Sequence, residues 1–378
     1  MYVLSDVHKY PPLLTCKNWR AWLQSNVSQY PEAIPLIAQL RDKKTYLGIE
    51  IEVENIREDF GDYDGYFWTC KEDNSLRNHG VEYVSNVLIG DQIVYALLDI
   101  AHHIPASAIF SHRTSIHIHM NVRDMTPDQI AKFMLSYLVV ERLFYLFADC
   151  NRDKNIFCVP LYDLTIIEHL FKYIQNFPNY PSPQTENTRY SGLNFDPLST
   201  FGSVEFRQLH GTSDVSRLLV WINFILCLKQ FSLTYTLDEL ITEIITLNTN
   251  SEYKTFALKI FGPLLDQFPQ DNLEKELEIG VLSVKRSLFS NDFKNYLEQN
   301  YTITSVALQF VQTHFRTKEN IKRSQPMEPQ ERLNLGINIQ EIPLADQIIQ
   351  MGRRRRAPEN IQIRIPPRNP NLIPVDRR

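Results

Sequence analysis

Tyr46 to Glu54 reads YLGIEIEVE, and its two-residue period decides how the surrounding chain folds. Successive side chains of a strand point to opposite faces. Leu47, Ile49, Ile51 and Val53 therefore share one face, and Glu50, Glu52 and Glu54 share the other. Neighbouring carboxylates on one strand face lie roughly 7 Å apart. At an effective dielectric of about 20, each adjacent pair repels by about 2 kcal/mol. Two arrangements relieve that repulsion: an edge strand with a solvated acidic face, or a row neutralised by hard divalent cations, which prefer carboxylate oxygens. The segment alone decides neither.

Working outward, Ser115 to Val122 reads SIHIHMNV and alternates in the same way. Ile116, Ile118, Met120 and Val122 face one way; Ser115, His117, His119 and Asn121 face the other. Two imidazoles at i and i+2 can share a cation or a phosphate, although a histidine is also a common structural residue. Gly202 to Leu209, GSVEFRQL, sets Glu205 and Arg207 on a face opposite Val204 and Phe206. That pair reads either as a surface ion pair or as a metal carboxylate beside a phosphate-holding guanidinium. Asp73-Asn74-Ser75 marks a turn before the strand that carries Glu82, and the Arg189–Phe195 strand includes Asn194.

Further strands are expected at Tyr66–Cys70 and Val81–Leu88, and the last segment is expected to run as a strand over Ser203–Leu209. A long helix starts at Thr126, where Thr126-Pro127-Asp128-Gln129 forms a capping box with proline at the first helical position. Glu141 interrupts its apolar stripe next to Arg142, which suggests an ion pair ahead of a role at the sheet's concave face. From Thr234 to Phe315 the pattern is mostly helical. Strands first, with long helices between and behind them, give an α+β class rather than a doubly wound repeat.

Composition bounds the rest. The 378 residues contain 39 Lys+Arg, 44 Asp+Glu and five scattered cysteines without a CxxC pair. Neither a disulfide framework nor a thiolate zinc site is expected. The first residues show no signal-peptide pattern, and the most apolar run, Leu218–Leu228, is short of the ~20 residues of a spanning helix. The expected location is cytoplasmic. Charge divides unevenly: Thr317–Arg378 nets +5, carries four consecutive arginines and eight of the 21 prolines, and leaves −10 for the rest. Three regions follow: an N-terminal segment 1–45, a body 46–316, and a basic extended tail 317–378 that cannot build a packed core. The tail lacks aromatics between its arginines, so specific nucleic-acid recognition is not expected; docking on a protein partner is.

The order of these motifs carries more than any one of them. G-x-E-x-E, D-x-S, G-x-E-x-x-S, H-x-H, R-Y-x-x-L-N and E-x-R follow one another between Tyr46 and Trp221. This series resembles the amidoligase family, ATP-dependent carboxylate–amine ligases related to glutamine synthetase and glutamate–cysteine ligase, with members in bacteriophage genomes. The resemblance implies a glutamine-synthetase-like curved, mainly antiparallel sheet with flanking helices, holding ATP and two or three Mg2+ ions. It implies Glu50, Glu52, Glu82, His117 and Glu205 as metal ligands, with His117, Arg207 and Asn194 contacting the nucleotide. Arg207, His119, Arg189 and Asp73 become the candidates for catalysis. The substrates implied are small-molecule or peptide carboxylates and amines, without a membrane partner, and some relatives assemble as oligomers. A phage-encoded member would act in the host cytoplasm or the virion. Such chemistry needs no Ser or Cys nucleophile and no Walker-type loop, and neither is evident. Two other classes stay open: a non-catalytic structural or virion protein on the same fold, favoured by the Arg-rich tail, and a metal-dependent hydrolase using His117 and His119.

Overall fold

The computed structural model describes residues 40–56, 67–148, 152–161 and 190–288, apart from the side chains of residues 102, 199, 286 and 287. All belong to one compact unit, Met1–Glu328. The expectations for residues before 40, for Arg189 and for the tail lie outside the described residues.

Among the described residues, seven strands form one antiparallel sheet: β1 (Tyr46–Val53), β2 (Trp68–Glu72), β3 (Val81–Ser85), β4 (Leu88–Ile89), β5 (Ile116–Asn121), β6 (Leu193–Asn194) and β7 (Ser203–Phe206). Their order is β2-β3-β1-β5-β7-β6, and β4 pairs with the start of β1. The expected Val81–Leu88 strand is split, because after Ser85 the chain leaves β1 and rejoins it near Tyr46. The second strand runs Trp68–Glu72 rather than stopping at Cys70, since Lys71 and Glu72 pair with Glu82 and Val81. The last strand ends at Phe206, where pairing with β5 stops, so Arg207 stands just past the strand.

One face of the sheet is the core. Leu47, Ile49, Ile51, Val53, Ile116, Ile118, Met120, Val204 and Phe206 are each at most 1% exposed. Helices cover this face: α1 (Asp91–His103), α2 (Pro127–Ala148) and α4 (Val215–Ser232), the last preceded by the short α3 (Pro197–Phe201). Behind them lie α5 (Leu237–Thr246), α6 (Asn250–Phe261) and α7 (Leu273–Leu288). The Thr126 capping box forms as read: Thr126 N–H donates to Gln129 Oε1 at 2.8 Å and Gln129 N–H to Thr126 Oγ1 at 3.2 Å. Matching boxes start α5 and α6. α2 lies between the sheet and α7, so it is apolar nearly all round rather than striped. Glu141 is wholly buried there and accepts from Tyr137 Oη (3.0 Å) and the Leu161 N–H (2.7 Å), while Arg142 pairs with Glu276 and Asp153.

α4 corrects the membrane reading in part. By length and composition, its 18 residues are apolar enough to cross a bilayer, because the apolar run extends beyond Leu218–Leu228. Most of that window is buried inside the protein, against α1, α2 and α6, which is the position of a core helix.

α2 and α7 approach closely at Gly280. A Cβ there would stand 2.0 Å from the Val139 carbonyl oxygen, a backbone atom that cannot rotate aside. Gly to Ala inside a helix ordinarily stabilises by up to about 1 kcal/mol. Gly280→Ala is expected to reverse the sign and destabilise by about 1–3 kcal/mol through overpacking, read as a lower urea midpoint. A raised midpoint would contradict this packing.

Candidate metal and phosphate site

The polar face of the sheet is built by register. Glu52 pairs with Glu82 across β1 and β3. Glu50 pairs with His117, Gly48 with His119, His119 with Glu205, and Glu205 with Asn194. Directly paired residues have Cβ atoms about 5 Å apart, so alternation plus register brings five strands' worth of ligands together. Gly48 matters here: a Cβ would already touch His119 Cβ at 3.5 Å, so a larger side chain would compete with the imidazole for the same space.

Glu50 is the meeting point. Its Oε2 lies 3.1 Å from His117 Nδ1 and its Oε1 3.4 Å from His119 Nε2. His117 Nδ1 is also 3.4 Å from Glu205 Oε1, and His117 Nε2 is 3.7 Å from Glu52 Oε1. Among the described residues, two sets of donors converge within 4.8 Å: Glu50, Glu82 and His117, and Glu50, His119 and Glu205. Carboxylate oxygens with one imidazole each suit a hard divalent cation.

Around these sets, other groups hold the ligands. Asn194 Nδ2 donates to Glu205 Oε2 at 2.7 Å, and Arg207 Nη1 donates to Glu205 Oε1. Ser203 Oγ lies 3.3 Å from His119 Nδ1. Glu52 stands in neither converging set; its Oε2 accepts from the backbone N–H and the hydroxyl of Ser115. Glu54 accepts from the Arg77 N–H at 3.0 Å. The Asp73 turn forms, with Ser75 N–H donating to Asp73 Oδ1 at 2.8 Å, and the Asp73 charge reaches Glu82. Arg189 lies outside the described residues.

Sequence reasoning missed three contributors. Buried Arg152 donates to the carbonyls of Gln208 (2.9 Å) and Arg207 (2.8 Å), fixing the backbone that carries the Arg207 guanidinium. Gln208, also buried, donates to Tyr137 Oη. Ser115 bridges Glu52 and His117. The alternation had set Ser115 on the histidine face, and that was its available signal; nothing in the sequence near Arg152 points to Arg207.

Burial raises the cost of every charge here, and the neighbours decide the outcome. Burial pushes Glu50 up, but hydrogen bonds to His117 and His119 outweigh it and hold the carboxyl well below the usual range. Burial likewise opposes ionisation of Glu205, and Arg207 with His117 brings it down. For His117, burial and Arg207 disfavour the cation, yet Glu52, Glu50 and Glu205 raise its pKa. For Glu82 the balance goes the other way: burial, with Glu50, Glu52 and Asp73 nearby, outweighs the pull of His117 and pushes it up to about 8. Arg207 Nε is buried without a hydrogen-bond partner among the described residues, a donor suited to an anion.

A site of this kind defines a class: acidic side chains and imidazoles gathered on one face of an antiparallel sheet, beside an arginine, that could hold divalent cations. The model of a family described as "Putative amidoligase enzyme" matches residues 53–229. Through that stretch, a little under half of the chain, the protein is similar to the amidoligase family. Glu82, His117, His119, Asn194, Glu205 and Arg207 fall inside the match, whereas Glu50 and Glu52 stand just before its start. No curated protein matches the chain. Among solved structures, a bifunctional glutathione synthetase from Pasteurella multocida is similar at 11% identity over 81% of this chain and 54% of that one, with a TM-score of 0.31. The complex between prokaryotic ubiquitin-like protein Pup and its ligase PafA matches at 10% identity over 82% and 81% (0.30), and a novel glutamine synthase homolog at 11% over 78% and 75% (0.27). The chain spans about half the length of the glutathione synthetase.

The Glu82 environment has a measurable consequence. With its pKa raised, the folded protein keeps a proton that the unfolded chain releases. Glu82 therefore subtracts stability progressively as pH rises from the normal carboxylate range towards 8. A cation bound at Glu82 must expel that proton. Mn2+ affinity is expected to rise with pH up to about 8, and Glu82→Gln to lower the number of protons released per ion by about one, measured by calorimetry in buffers of different ionisation enthalpy. Equal proton release in both proteins would contradict the assignment.

Proposed function

We propose that the chain is an ATP- and Mg2+-dependent carboxylate–amine ligase. The observation that carries this reading is the pair of three-donor sets that share Glu50, with Arg207 alongside. Glu50, Glu82 and His117 would hold one ion, and Glu50, His119 and Glu205 another. A divalent cation held there would supply charge neutralisation for phosphoryl transfer. A carboxylate is a poor electrophile, so amide formation needs it activated as an acyl phosphate. The amine then displaces phosphate, giving amide, ADP and phosphate.

The chain's own residues serve positioning and charge neutralisation, which supply most of the catalysis in this chemistry. Arg207 has Nη1 anchored on Glu205 and a buried Nε without a hydrogen-bond partner among the described residues, so it could meet a transferred phosphoryl group without losing its orientation. Arg152, behind it, keeps that guanidinium in place through the backbone. Asn194 orients Glu205. The carboxylate and amine substrates, small or peptidic, would enter over the same face, with Asp73 beside Glu82 at its rim.

The test is ADP release against panels of carboxylates and amines, with mass spectrometry of the product. Turnover is expected only with both substrates and Mg2+, and Arg207→Ala should lower kcat by about 100-fold or more, the scale seen when a preorganised charge-stabilising donor is removed. ADP release that needs water alone would favour the hydrolase reading, and no nucleotide or metal binding would favour the non-catalytic one.

A further inference from the structure

The Ser115 hydroxyl stands between two groups of the site. Its Oγ is 2.7 Å from Glu52 Oε2 and 2.8 Å from His117 Nε2, and the Ser115 N–H donates to the same Glu52 oxygen at 2.8 Å. An ionised carboxylate only accepts hydrogen bonds, and a hydroxyl has one hydrogen to give. The hydrogen therefore goes to Glu52, and towards His117 the hydroxyl can only accept. Nε2 must then carry a proton. The other ring nitrogen, Nδ1, is the one that faces Glu50 Oε2 and Glu205 Oε1, at 3.1 and 3.4 Å.

We infer that the Glu52–Ser115 pair fixes His117 in its Nε2–H tautomer and so presents Nδ1 as the ligand atom to the cation. This rests on the metal reading of the site proposed above and assigns new work within it: Ser115 and Glu52 are positioning residues, which act through His117. Three observations converge. Glu52 belongs to neither converging donor set. Both of its contacts from Ser115 use the oxygen Oε2, leaving Oε1 facing His117 Nε2 at 3.7 Å. Ser115, Glu52 and His117 are all at most 8% exposed, so water does not compete for these bonds. A buried partner that holds the far nitrogen of a metal-binding histidine fixes both tautomer and ring orientation.

The same atoms could be taken for a nucleophile, base and acid, because Ser115 Oγ, His117 and Glu50 stand in that sequence. The hydrogen-bond count excludes it. A nucleophilic serine must give its hydrogen to the imidazole, whereas this one gives it to Glu52 and lies 5% exposed beneath the ligands.

The test reads the tautomer directly. Nitrogen-15 NMR of the His117 ring in the metal-free full-length protein, at a pH where the ring is neutral, should show protonated Nε2 and bare Nδ1. Ser115→Ala should yield a mixture of tautomers and weaken Mn2+ binding by about 10–100-fold, the usual scale for losing such a partner. Ser115→Thr, which keeps the hydroxyl, should restore both. A bare Nε2 in the unmodified protein overturns the inference and leaves the ligase reading standing; this spectrum decides even if the alanine variant does not fold. Unchanged Mn2+ affinity in Ser115→Ala overturns it as well. An unmodified protein that binds no Mn2+ overturns both the metal reading and this assignment.

Discussion

The cross-strand pairing of β1 with β5 is the constraint on which the site depends. It sets Glu50 directly opposite His117 and Gly48 opposite His119. A slip of one residue would turn the carboxylates and imidazoles into the core and expose Ile49, Ile51, Ile116 and Ile118. Those four side chains are entirely buried, so the apolar face that stabilises the fold also enforces the register of the polar face. Core packing and chemistry are thus opposite sides of the same alternation.

That arrangement explains how so many carboxylates tolerate one surface. Hydrogen bonds to His117 and His119 hold Glu50 low, and Arg207 with His117 holds Glu205 low, while burial beside Glu50, Glu52 and Asp73 pushes Glu82 up to about 8 against the pull of His117. The site balances its own charge by mixing paired anions with a neutralised one. A cation bound at Glu82 would therefore have a proton to displace, and Arg207 Nε offers an anion a donor that has no partner among the described residues.

Much of this was legible in the sequence. The period-two runs Tyr46–Glu54 and Ser115–Val122 located β1 and β5 and sorted their faces correctly, because burial on one side leaves a strand little choice. The Thr126 box located α2 to the residue, since capping is local chemistry. Strand ends were less legible: the break after Ser85 and the stop at Phe206 depend on where partner strands end, which is not written locally. Roles were the least legible. Glu50 and Glu52 look alike in GIEIEV, yet one faces both imidazoles and the other is taken up by Ser115. Arg152 supports Arg207 from 55 residues away, a relation visible only once the chain is folded.

The central claim is that Glu50 is shared by two cation sites, and counting bound ions tests it most directly. Mn2+ titrated into the full-length protein in the presence of ATP, followed by electron paramagnetic resonance, is expected to show at least two ions bound in mutual proximity. Glu50→Gln should weaken both, whereas Glu82→Gln and Glu205→Gln should each weaken one. Glu50→Gln that binds both ions as tightly as the unmodified protein would contradict the account.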